Sequence, residues 1–187
     1  GGKRLWQGFE FPVASGAADI VYVWGVFTSM QPVDMEIYLA DIAPPGLIAV
    51  EIATGQARRF DGHAALQAEP RAVMKVDGQL TQFGGKPASV GVNPITLSRD
   101  GKTVYFGAMN GQHWYSVPSR LLREGTHEQI AAGIRSVGNK PVSDGAATDD
   151  AGNHFFTNLN ENGIDRLSPQ GKLKVHRIVM GTDSGHV

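Results

Sequence analysis

Four oxygen-bearing side chains stand at the ends of apolar runs: Asn93, Asp144, Asp41 and Asn158. Asn93 opens the run in GVNPITLS and Asp144 opens the run in VSDGAATD. An acidic turn follows each, Asp100-Gly101 or Asp149-Asp150. Asp41 and Asn158 close the runs ending LAD and FTN. Carboxamide and carboxylate oxygens are hard donors suited to a cation such as Ca²⁺, and they also accept N–H hydrogen bonds. The same residue types cap turns through their own backbone. Asn93-Pro94 and Asp144-Gly145 therefore also read as turn dipeptides.

Other chemistries find less support. The chain has no cysteine, which excludes disulfides, thiolate zinc sites and a cysteine nucleophile. Its six histidines show no HExxH or other metal spacing, and His113 reads as packed beside Trp114. Ser119, Ser143 and Ser168 lack a Gly-x-Ser-x-Gly context. Gly84-Gly85-Lys86 lacks the phosphate-loop spacing. Trp114, Tyr115, Phe155 and Phe156 read as core rather than as a ligand cage, and Asn160 and Asn162 read as turn residues.

The elements that must position these residues are short strands. Tyr38, Tyr105 and Phe155 each sit in an apolar run. Nine residues on come Leu47, Trp114 and Ile164, and three further come Val50, Val117 and Leu167. Each stretch is two strands joined by a polar loop. Recurrence of such a unit marks a repeat architecture. The spacing predicts that equivalent members occupy equivalent packing positions. Asp77-Gly78 between two short runs predicts a two-residue hairpin. Gly84–Ser89 reads as a loop. Helix is expected mainly within Ser119–Ala132, with Ser119 as a cap. Ile20–Thr28 reads as a buried strand and Leu5–Phe11 as a half-exposed one.

The expected fold is all-β, with four-stranded antiparallel blades of a β-propeller. Residues 35–60, 90–137 and 141–180 are the blade-like repeats within one domain over 1–187, and 1–34 is the part least assigned. A blade takes about 40–50 residues, so the chain holds about four at most. Propellers do their chemistry at the ends of the central channel, and Asp41 and Asn158 fall at strand ends near its inner rim.

Composition narrows the partners. With 17 basic and 18 acidic residues and no basic cluster, nucleic acid is not expected. No window approaches the ~18 apolar residues of a membrane span. Lys3 and Arg4 are not followed by the apolar core of a signal peptide.

Two segments, GVNPITLSRDGKTVYFGAMNGQHWYSVPSRLLREG and KPVSDGAATDDAGNHFFTNLNENGIDRLSPQGKL, resemble successive blades of bacterial members of the major royal jelly protein/Yellow family. APPGLIAVEIATGQARR resembles the blade before them, and the Asp77-Gly78 hairpin falls where that family carries an insertion. The resemblance spans roughly Met35 to Arg177. It implies a six-bladed propeller only partly represented here, and a secreted or periplasmic location. It also implies a small organic ligand, an aromatic amine among the candidates, at one channel mouth. More distantly, the segments resemble the gluconolactonase–regucalcin propellers. That likeness implies a divalent cation, calcium foremost, held by Asn93 and Asp144, although both families more often have Gly where Pro94 stands. Two ligands are too few, and no motif supplies a third. Two readings follow: a small-molecule-binding propeller of the royal jelly/Yellow type, or a metal-dependent, gluconolactonase-like hydrolase. A purely structural or interaction propeller is the third.

Overall fold

Turn chemistry divides the chain into short strands, and the pleat then decides what each strand buries. The computed structural model describes residues 22–23, 36–51 and 53–177. The expected strand at Leu5–Phe11 lies outside them, and of Ile20–Thr28 only Tyr22–Val23 (β1) is described. With Glu36–Ile42 (β2), Pro45–Glu51 (β3) and Ala57–Asp61 (β4) it forms the first four-stranded antiparallel sheet.

Four two-residue strands follow: Lys75–Val76 (β5), Gln79–Leu80 (β6), Gln82–Phe83 (β7) and Lys86–Pro87 (β8). Asp77 and Gly78 have φ of 52° and 73°, the double left-handed geometry of a type I′ hairpin turn. Gly84 and Gly85 do the same at 58° and 75°. The stretch read as a loop from Gly84 is thus a second hairpin, because two glycines adopt this turn without steric cost.

The second sheet comprises Val92–Leu97 (β9), Thr103–Ala108 (β10), His113–Pro118 (β11) and Arg135–Asn139 (β12). Helices Ser119–Glu124 (α1) and His127–Gly133 (α2) fill the connection before β12. Ser119 is the first helical residue of α1 and makes no cap bond; Pro118 holds the cap position. Thr126 caps α2 in a reciprocal box with Gln129. The third sheet is Ala146–Thr148 (β13), His154–Asn158 (β14), Gly163–Leu167 (β15) and Leu173–Arg177 (β16).

The repeated spacing acquires a structural meaning here. Tyr38 and Leu47 lie in the core between the first and second sheets, beside Val104, Phe106 and Val117. Tyr105 and Trp114 lie in the core between the second and third, beside Phe156 and Leu167. The first two members of the repeat therefore face the following sheet. The third member stands three residues further along its strand, an odd step that turns it to the opposite face. Val117 and Leu167 face back to the preceding sheet, and Val50 lies on the other face of the first sheet with Ile37, Leu39 and Ile48. Phe155 and Ile164 are only half-buried. They occupy the onward face of the third sheet, and no further sheet follows it among the described residues.

Trp114 is fully buried and meets Phe156 edge to face, with ring centroids 5.0 Å apart at 83°. Trp114→Ala should destabilise the fold by about 3–5 kcal/mol, as large-to-small core changes do. Denaturant unfolding of wild type and variant reads this directly. His154 sits in the same interface, 4.4 Å from the Tyr105 ring and hydrogen-bonded to Thr148. Burial pushes its pKa down to about 4, against about 6.5 for an unperturbed imidazole. The stability linked to its neutral form is complete above about pH 6.5 and declines as pH falls towards 4. In urea titrations between pH 7 and 4, His154→Gln should lose less stability than wild type.

Candidate functional site

A bulge aims Asn93. Ile95 pairs with Phe106 and Val92 with Ala108, so β9 carries one extra residue between these pairs. Bulges re-aim side chains in this way. Pro94 fits because β9 is at the edge of its sheet and needs no second ladder. Asn93 and Pro94 thus lie inside a strand rather than in a turn, whereas Asp144 does lie in the loop leading into β13. Strands β9 and β13 pack beside one another, and this joins the two residues. Asn93 Nδ2 donates to Asp144 Oδ1 at 2.8 Å. Asn93 is 4% exposed, and its Oδ1 is buried with no hydrogen-bond partner. Asp144 is half-buried, so one carboxylate oxygen is fixed while solvent still reaches the group.

The other two candidates have local duties. Asp41 Oδ2 accepts from Arg59 at 2.7 Å, and its Oδ1 accepts from the Ala43 N–H. That is turn capping reinforced by an ion pair. Asn158 is buried; its Nδ2 donates to Asp165 Oδ2 at 3.1 Å, and its Oδ1 accepts from the Glu161 N–H. The structure does not bring either to Asn93 by hydrogen bonding.

The insertion between the first two sheets builds a wall beside this end. Asn110, 1% exposed, accepts from the Val90 N–H and donates to the Ala72 carbonyl. Glu69 Oε1 takes the N–H groups of Gln112 and His113 and the His113 ring nitrogen, the last at 2.8 Å. Asn160 both accepts from Lys75 N–H and donates to Val73 O, and Asn162 donates to Asp77. These two asparagines, read from sequence as turn residues, hold the first hairpin against the β14–β15 loop. Ala72, Met74 and Ala88 pack with Val142 beneath it. Next to this wall lies a cleft of about 450 Å³, lined by His113, Lys140, Asn158, Glu161 and Asp165 among others. Lys140, 2% exposed, escaped the sequence reading. A single lysine before a proline carries no sign of its own burial.

Among the described residues no group of three or more His, Asp or Glu could hold a metal. Two oxygens also fall short of the six to eight that Ca²⁺ takes, and Asn93 presents its NH₂, not its oxygen, to Asp144. The residues described do not by themselves make a cation site.

Three four-stranded antiparallel sheets stacked face to face are blades of a β-propeller. Residues 26–181 match the major royal jelly protein family, and the chain belongs to it. Among solved structures, it is similar to a catalytically inactive virginiamycin B lyase from Staphylococcus aureus crystallised with quinupristin. That likeness has 17% identity and a TM-score of 0.56, covering 92% of this chain and 45% of that one. A regucalcin from Agrobacterium tumefaciens, described as a calcium-binding protein, is similar at 17% identity and a TM-score of 0.37, over 78% of this chain and 57% of that one. The chain spans less than half of the lyase's length. No curated protein matches it.

Asn93 should trade stability for binding. A buried polar atom without a partner costs roughly 1–3 kcal/mol, so Asn93→Leu should unfold at a denaturant midpoint equal to or above wild type. A loss above about 2 kcal/mol would make the pair a structural tie instead.

Proposed function

We propose that this propeller binds a small organic ligand at the end where β9 and β13 begin, through a cationic or N–H-donating group seated on Asp144. The observation that carries this reading is the Asn93–Asp144 pair. A buried amide anchors one carboxylate oxygen at 2.8 Å across the first strands of adjacent sheets. The remaining oxygen, Oδ2, accepts no hydrogen bond from the described residues. An acceptor held this way needs little reorganisation when a ligand nitrogen arrives. Trp114, Phe156 and Tyr105 are committed to the core between sheets, so the carboxylate rather than an aromatic cage would supply recognition. An aromatic amine is the ligand class the family suggests.

The second reading, a metal-dependent gluconolactonase-like hydrolase, draws on one observation: the unpartnered Asn93 Oδ1. Rotation of the amide would turn that oxygen towards Asp144, and a cation between them would satisfy both. A bound divalent ion polarises an ester carbonyl and activates water. Further oxygen ligands would have to come from beyond the described residues.

Isothermal calorimetry separates the two. With phenethylamine, wild type should release heat, and Asp144→Asn should bind about 10-fold or more weakly, since a hydrogen bond to a charged group is worth about 1.5–3 kcal/mol. Heat from Ca²⁺, Mg²⁺ or Zn²⁺, lost in Asp144→Ala, with none from the amine, would replace the first reading by the second.

A further inference from the structure

Lys140 places an amine where a positive charge is costly. The residue is 2% exposed, yet it lines the cleft beside His113, Asn158 and Asp165. Its Nζ donates to the carbonyl oxygens of Gly111 at 2.8 Å and Pro141 at 2.9 Å. Among the described residues no carboxylate lies within ion-pair distance of it. Two carbonyl acceptors match the two N–H bonds of a neutral amine and leave its lone pair over. An ammonium has a third N–H, and no third acceptor among the described residues takes a hydrogen bond from Nζ.

The side chain packs closely against β10. A Cβ on Gly107 would stand 2.7 Å from Lys140 Cε and 2.8 Å from the His113 carbonyl oxygen, so glycine there leaves room for both the lysine stem and the neighbouring strand. The backbone N–H of Lys140 is itself fixed to the Gln112 carbonyl. Amine, stem and backbone are all held.

We propose that Lys140 is a carbonyl-capturing amine, and that the cleft it lines receives a small aldehyde or ketone. The Nζ lone pair adds to the carbonyl carbon, and the displaced π electrons pass to oxygen, which takes a proton. The carbinolamine then loses its hydroxyl group with a proton as water, leaving a C=N bond to Nζ. One amine and one carbonyl compound give one imine and one water, with no oxidant or reductant. Burial supports the step by pushing the amine's pKa down to about 7, with Glu69 acting weakly in the opposite direction. The other titratable groups facing the cleft are His113, Glu161 and Asp165. This site is separate from the Asn93–Asp144 pair, so its failure would leave the proposed function intact.

The test is reductive trapping of the folded wild-type chain with limiting propanal and cyanoborohydride, followed by peptide mapping. At pH 7 about half of an amine with this pKa is neutral, against roughly one in 2,500 for an ordinary lysine. Lys140 should therefore be alkylated at least about 10-fold faster than the exposed Lys75 and Lys102, and the advantage should vanish by pH 10. In Lys140→Arg the fast-labelled peptide should disappear while the folded chain remains. Labelling of Lys140 no faster than Lys75 at pH 7, or only after unfolding in urea, would overturn the proposal and leave Lys140 as a clamp on two carbonyls.

Discussion

The structure depends on burial of the second sheet on both faces. Tyr105 and Trp114 project to one side, and Val104, Phe106 and Val117 to the other. A single antiparallel sheet in water buries one face and solvates the other. Here neither face is available to solvent, so neighbouring sheets are a requirement of the sequence rather than an accessory. The helices α1 and α2 serve the same end, since Leu122 and Ile130 extend the core between the first two sheets.

That stacking sets what happens at the strand ends. Face-to-face sheets bring β9 and β13 side by side, and the residues that open them become neighbours. Asn93 and Asp144 are 51 positions apart in sequence and share a hydrogen bond. The bulge in β9 completes the arrangement by turning the amide. The insertion between sheets adds a polar wall at the same end, fastened by Asn110 and Glu69 from beneath and by Asn160 and Asn162 from above. Polar density of this kind is expensive to build inside a small all-β fold. It is concentrated at one end, where two unusual groups also sit: an amide oxygen without a partner and an amine without a carboxylate.

The family assignment and the site stand on different ground. Family membership rests on most of the chain matching at once, through the order and spacing of strands and turns. The chemistry rests on a few atoms. Asp41 and Asn158 show how position within a blade misleads: both stand at equivalent strand ends, yet one serves an ion pair with Arg59 and the other a buried bond to Asp165. Equivalent places in a repeat share a backbone environment, not a set of side-chain partners.

Much of the architecture was legible in the sequence by itself. Strand-forming runs bounded by glycine, proline and Asx turns announced three sheets, because turn conformations and side-chain alternation are local properties. Asp77-Gly78 announced its hairpin for the same reason. The nine-plus-three spacing carried the facing of each side chain, though the odd final step meant opposite faces. Only tertiary structure decided that Phe155 and Ile164 stay half-buried while their counterparts are covered, since burial needs a neighbouring sheet. It also decided the burial of Lys140, the bulge at Asn93 and the joining of Asn93 to Asp144. Those depend on which surfaces meet across the stack, and nothing in the local chain encodes a contact with residues 50 positions away.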